Sequence, residues 1–157
     1  GAIRRLPEIS QLNLDPANTW REPDTAVPVE PRTGPVVITV EHRIAEADIP
    51  AFLSVMSERR RIRRRDGARD WTLMRDLADP QLWMERFHFP TWLEYVRHNE
   101  RRTRADIANS DALHDLWLDA QPSVIHRWIE RQTGSMPGAG ADDARAFDAV
   151  TDPSRSS

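Results

Sequence analysis

Pro35-Val-Val-Ile-Thr-Val-Glu-His-Arg43 is the stretch on which the fold turns. Five of its nine residues are β-branched aliphatics or threonine in unbroken succession, and Gly34-Pro35 bounds it on one side, so it reads as a strand. Working outward, Asp48 stands where a helix N-cap belongs and Pro50 falls in the first turn. Ile49, Phe52, Leu53 and Met56 then make an apolar stripe at helical spacing, widened by Val55 and Ile62. This helix is expected to run to about Arg65 and to stop at Asp66-Gly67, where glycine supplies a left-handed cap. Two short apolar runs, residues 71–75 and 82–89, flank Ala78-Asp79-Pro80 and predict a hairpin. Thr91, with Glu94 three residues on, predicts a helix carrying Trp92, Tyr95 and Val96 to about Asn99. A further helix over residues 103–118 and a last strand over residues 123–129 complete the series.

The order is that of a split βαβ unit: α+β, ferredoxin-like βαββαβ, a four-stranded antiparallel sheet with helices on one face. Helices on one face leave the other to water, which calls for polar residues there. These strands are instead apolar at both parities. Leu82 and Met84 oppose Trp83, Phe87 and Phe89, and Val36, Ile38 and Val40 oppose Val37. Leaving several such side chains wet would forfeit about 1.5–3 kcal/mol each. A second copy of the sheet is the simplest cover, with Trp83 and Phe87 expected at the contact, so a homodimer is predicted.

Composition limits the chemistry. The 157 residues suit one domain with tails, and 22 basic against 25 acidic groups argue for no nucleic acid partner. Every basic residue is Arg, which excludes Schiff-base and phosphate-loop lysines, and the absence of Cys removes disulfides and thiolate chemistry. No apolar run approaches the roughly 20 residues of a membrane span, and no signal peptide opens the chain. Gly1 in place of Met reads as the start of an excised piece of a longer polypeptide.

Six prolines among the first 35 residues make residues 1–34 an extended linker with sticky points at Leu12, Leu14 and Trp20. Residues 132–157 read as a flexible tail in which residues 142–150 could form a brief helix. The folded domain is placed at residues 35–131, where 16 basic and 16 acidic groups balance. There is no internal repeat.

Several stretches carry a family resemblance. They are Gly-Pro-Val-Val-Ile-Thr-Val-Glu-His-Arg-Ile at 34–44, Arg65-Asp-Gly-Ala68 with Trp71 behind it, Glu85-Arg-Phe87, Thr91-Trp-Leu-Glu94, and His98-Asn-Glu-Arg-Arg-Thr-Arg-Ala-Asp106. The lead-in contains Leu12-Asn-Leu-Asp-Pro16 and Trp20. Together they resemble the C-terminal domain of major facilitator superfamily exporters of the enterobactin-exporter-like, or transmembrane secretion effector, branch. That domain in turn resembles the dimeric α/β barrel of antibiotic biosynthesis monooxygenases. The resemblance implies a homodimer, an upstream transmembrane domain in the same polypeptide, and a place on the cytoplasmic face of the bacterial inner membrane. It implies no cofactor. Haem-degrading relatives of the barrel use an Asn, a Trp and a His; here Trp92 and His98 are closer together than in those relatives, and the first strand has no Asn.

Candidate site residues fall into three groups. Trp71, Trp83, Trp92, His98 and His126 are candidates to line a pocket for a small, flat hydrophobic ligand, against a plainer role in core and dimer packing. Arg61, Arg64 and Arg65 belong to a run of six arginines in seven positions and are candidates for an anionic ligand or lipid patch. Arg60 and Arg63 are read as continuing the apolar stripe; the plainer alternative for the run is a solvated face paired to Asp66, Asp70 and Asp76. His42, His88 and His126 sit at strand positions that could converge on one sheet face, but no histidine pair has helical zinc spacing, so no metal is expected. No nucleophile-elbow sequence is present and no catalytic residue is assigned. The favoured expectation is a non-enzymatic dimerisation or ligand-sensing domain of an exporter. A cofactor-independent monooxygenase acting on an aromatic or polyketide-like compound is the alternative, and a bare subunit-pairing module a third.

Overall fold

The computed structural model describes residues 20–134. Expectations for residues 1–19 and for a helix at 142–150 lie outside these. The elements run β1 (Val36–Arg43), a 3-10 turn (Glu46–Asp48), α1 (Ile49–Arg65), β2 (Arg69–Arg75) and β3 (Leu82–Phe89). Then follow α2 (Trp92–Glu100), α3 (Arg104–Leu116), a second 3-10 turn (Leu118–Ala120) and β4 (Val124–Ile129). All pairings are antiparallel in the order β2-β3-β1-β4, with β1 central and the helices on one face. This is the ferredoxin-like α+β fold that the element order implies.

Local chemistry explains most of the boundaries. At the end of α1 the Gly67 amide donates to Arg64 O at 3.1 Å and the Ala68 amide to Arg63 O at 2.9 Å. Together these form a Schellman closure around Gly67, whose φ is 103°. Thr91 Oγ1 accepts the Glu94 amide, and Thr103 with Asp106 makes a reciprocal capping box for α3. Gly34 is required by contact: a Cβ there would overlap the Pro90 carbonyl. In the hairpin, Asp76 Oδ1 accepts the amides of Ala78 and Asp79 at 2.6 and 2.9 Å. Residues 20–35 carry neither helix nor strand. They lie against the domain, with the amides of Trp92 and Leu93 donating to Thr33 O and Pro31 O.

Four expectations need correction. Asp48 precedes α1 but its side chain caps nothing, because the 3-10 turn leads straight into the helix and leaves Asp48 at φ −95°, ψ 0° rather than extended. Leu53 is 44% exposed, and Arg60 is exposed while Arg59 turns inward. At about 100° per residue, Phe52, Met56, Arg59 and Arg63 fall within about 60° of one another, whereas Leu53 and Arg60 sit about 80–100° from Phe52. The helix expected to reach residue 118 ends at Leu116, where Trp117 becomes extended, bridges Ile44, and donates its indole N–H to His42 Nδ1.

The fourth correction concerns the sheet faces. Trp83, Phe87 and Phe89 share the helix-covered face with Val36, Ile38 and Val40 and are buried within the protomer. The uncovered face carries Val37, Leu82, Met84, Met74, Val124 and Trp128, interleaved with Thr39, Glu41, Arg86, His88 and His126. It is half apolar rather than a second core.

Candidate ligand cavity between sheet and helices

The covered face does not close completely. One core cluster gathers around Phe87, Phe89 and Tyr95, and another around Phe52, Met56 and Leu113. Between sheet and helices lies a cavity of about 380 Å³, within the range of small-molecule sites. Its apolar walls are Ile38, Val40, Phe87, Tyr95, Leu113 and Trp117. Its polar walls are Arg59 and Arg63 of α1, His98 and Asn99 of α2, Arg102, and Asp106, Asn109 and Ser110 of α3.

Under these walls lies Glu85. The inward parity of β3 (Trp83, Glu85, Phe87, Phe89) buries its carboxylate completely. Oε2 accepts Arg63 Nε at 3.1 Å and Trp71 Nε1 at 2.8 Å. Oε1 faces Arg59 Nε at 3.5 Å and His42 Nε2 at 3.7 Å, with no hydrogen bond to either. Burial pushes the Glu85 carboxyl up, but Arg63, His42 and Arg59 override it and hold the group well below the ordinary carboxylate range. The Arg63 guanidinium also lies 4.4 Å from the Phe87 ring centre.

Both inner histidines are neutral, and their tautomers follow from their partners. Arg63 Nη1 lies 2.9 Å from His98 Nε2; a guanidinium only donates, so Nε2 holds the lone pair and Nδ1 the proton, facing Asp66 at 3.8 Å. Burial, then Arg63 and Arg59, pushes the His98 imidazole down to about 2. His42 Nδ1 accepts the Trp117 indole at 3.2 Å, which leaves the proton on Nε2, and burial lowers this group also. Arg59 is pushed down to about 10, by burial and then by Arg63.

Among the five residues expected to line a ligand pocket, His98 lines this cavity. Trp71 holds Glu85 from beneath. Trp83 lies in the core edge-on to Phe52, and Trp92 is buried with its indole donating to Glu22 at 2.8 Å. His126 is on the opposite face, stacked on Trp128 and 3.8 Å from Glu41. His42, His88 and His126 do not converge: His42 points under the helices, and the other two outward. Arg61 pairs with Glu58, Arg64 is exposed, and Arg65 bridges Asp66 and Asp106. Among the described residues no cluster of three or more His, Asp or Glu could hold a metal. Sequence reading passed over Glu85, Arg59, Arg63 and Arg102 as site residues. The available signal was a lone acid at the inward parity of an otherwise aromatic strand, matched by arginines on an apolar helix stripe.

A four-stranded sheet in this order with helices on one face defines a ferredoxin-like α+β domain. Solved structures agree on the fold. SnoaB from Streptomyces nogalater, a cofactor-independent oxygenase solved as a mutant, is 18% identical with a TM-score of 0.53 over 62% of this chain and 94% of its own. Rv0793 from Mycobacterium tuberculosis is 14% identical with a TM-score of 0.53, covering 65% and 100%. A third solved structure, an antibiotic biosynthesis monooxygenase, is 14% identical with a TM-score of 0.51, covering 65% and 99%. The chain belongs to the transmembrane secretion effector family, which matches residues 1–134. No curated protein matches it. Among the described residues no helix is long and apolar enough to cross a membrane.

Proposed function

We propose that this domain is the cytoplasmic small-molecule-binding and pairing module of a major-facilitator-type exporter. In this reading residues 1–34 link it to transmembrane helices upstream in the same polypeptide, at the bacterial inner membrane. Residues 35–131 are the folded domain, and residues 132–157 trail it. The uncovered sheet face pairs with a second copy.

The observation that carries the binding role is the cavity itself, a chamber walled by apolar and polar side chains together. The competing reading, a cofactor-independent monooxygenase, needs a group to take a proton from its substrate. The lone pairs of His42 and His98 are already engaged by Trp117 and Arg63, and Glu85 is held far below the range of a useful base. Among these three groups none is free to take a proton, which favours binding over turnover. Titration of the chain with a panel of aromatic compounds tests it: saturable quenching of tryptophan fluorescence is expected, and Ser110→Trp, which fills the chamber, is expected to abolish it. Oxygen uptake on addition of a quinol from the same panel would reverse the assignment.

A further inference from the structure

The charged wall is unevenly compensated. Arg65 engages both Asp66 and Asp106, with contacts of 3.0–3.2 Å. Arg63 and Trp71 take the bonded oxygen of Glu85. That leaves Arg59, on α1, and Arg102, between α2 and α3, without a hydrogen-bonded carboxylate. Both donate instead to one neutral acceptor on the cavity wall, Ser110 Oγ, at 3.4 and 3.1 Å. Arg59 also donates to the Asn109 amide oxygen at 3.0 Å. Glu85 Oε1 lies 3.5 Å from Arg59 Nε, and the charges of Asp106 and Asp111 offset part of the destabilisation of Arg102. Each guanidinium is destabilised by burial and then by Arg63, and the acceptors that Arg59 and Arg102 hydrogen-bond are neutral.

Resting on the binding role proposed above, we infer that the cavity selects an anion: a flat apolar compound bearing one carboxylate or comparable acidic group, placed between Arg59 and Arg102 beside Ser110. Two guanidiniums converging on one point offer several N–H donors to an anionic oxygen, and charge-assisted bonds there are worth roughly twice neutral ones. Tyr95, Leu113 and Trp117 receive the apolar body. The ligand thereby gives these two guanidiniums a charged acceptor in place of a neutral one.

The test compares naphthoate with naphthalenemethanol, matched in shape and differing in charge, by calorimetric titration of the 157-residue chain. Naphthoate is expected to bind at least tenfold more tightly, a difference of about 1.4 kcal/mol. Arg102→Gln is expected to bring the two probes within about threefold by weakening only the acid. Ser110→Asp, which builds a carboxylate between the guanidiniums, is expected to raise the melting temperature of the unliganded chain and to abolish naphthoate binding. Equal affinity for acid and alcohol would overturn anion selection while leaving the binding cavity standing. A preference for naphthoate that survives Arg102→Gln would place the anion elsewhere and overturn the site. Binding of neither probe would overturn both the site and the binding role.

Discussion

At Glu85 a carboxylate sits in a strand interior where an aromatic would pack, and its surroundings decide the protonation of everything nearby. Arg63 divides its donors between Glu85 and His98, and so fixes His98 as a neutral imidazole. A histidine titrates near 6.5 when unfolded, and His98 only at about 2 when folded. Between those values the unfolded chain binds a proton that the folded chain refuses, so stability is full above pH 6.5 and falls as pH drops below it. One such proton contributes about 1.4 kcal/mol per pH unit. His42, also lowered, acts in the same direction, and the depressed Glu85 adds a further loss below its unfolded value near 4.5. Urea denaturation at pH 7.5 and 5.5 is expected to show this decline, and His98→Gln to reduce the loss between the two by about 1.4 kcal/mol. Identical losses in the two proteins would contradict the neutral assignment. Beyond the inward parity of a lone acid in β3, these protonation states were not legible in the sequence. A charged residue in a strand ordinarily marks the solvent side, and the compensating arginines come from a helix more than 20 residues away in sequence.

For single elements the sequence was more informative, because the deciding interactions are local. The 82–89 run forms β3 with the expected bounds, and α1 ends where Asp66-Gly67 indicates. Gly67 tests that account: its φ of 103° is one that L residues with side chains rarely adopt, and no atom lies within 4 Å of an added Cβ. Gly67→Ala should therefore cost about 1–2 kcal/mol through backbone conformation alone, measurable by chemical denaturation. A loss near zero would mean that the Schellman closure is dispensable. The errors at this scale arose where tertiary contacts compete with local preference. Arg59 and Arg60 lie on opposite sides of the stripe edge, and only the packing of Phe52, Met56 and Leu113 shows which one faces inward. α3 stops early because the Trp117 indole reaches His42 on β1, 75 residues away in sequence.

For the whole molecule, the element order implied the fold, but apolar content at both strand parities misassigned the faces. Trp83 and Phe87 lie under the helices, so Phe87→Asp should unfold the protomer rather than separate two of them. The uncovered face offers Met84, with Leu82 and Met74 beside it. If it pairs with a second copy, light scattering at tens of micromolar should find a dimer, and Met84→Asp should give a folded monomer. A monomeric native chain would remove pairing from the account.

The central claim is that the chamber between sheet and helices takes up a small molecule. A crystal structure of the chain grown with naphthoate tests it most directly. The account predicts electron density for the probe against Tyr95 and Leu113, with its carboxylate between Arg59 and Arg102. A chamber filled by rearranged side chains, or a probe bound only on the outer sheet face, would contradict it.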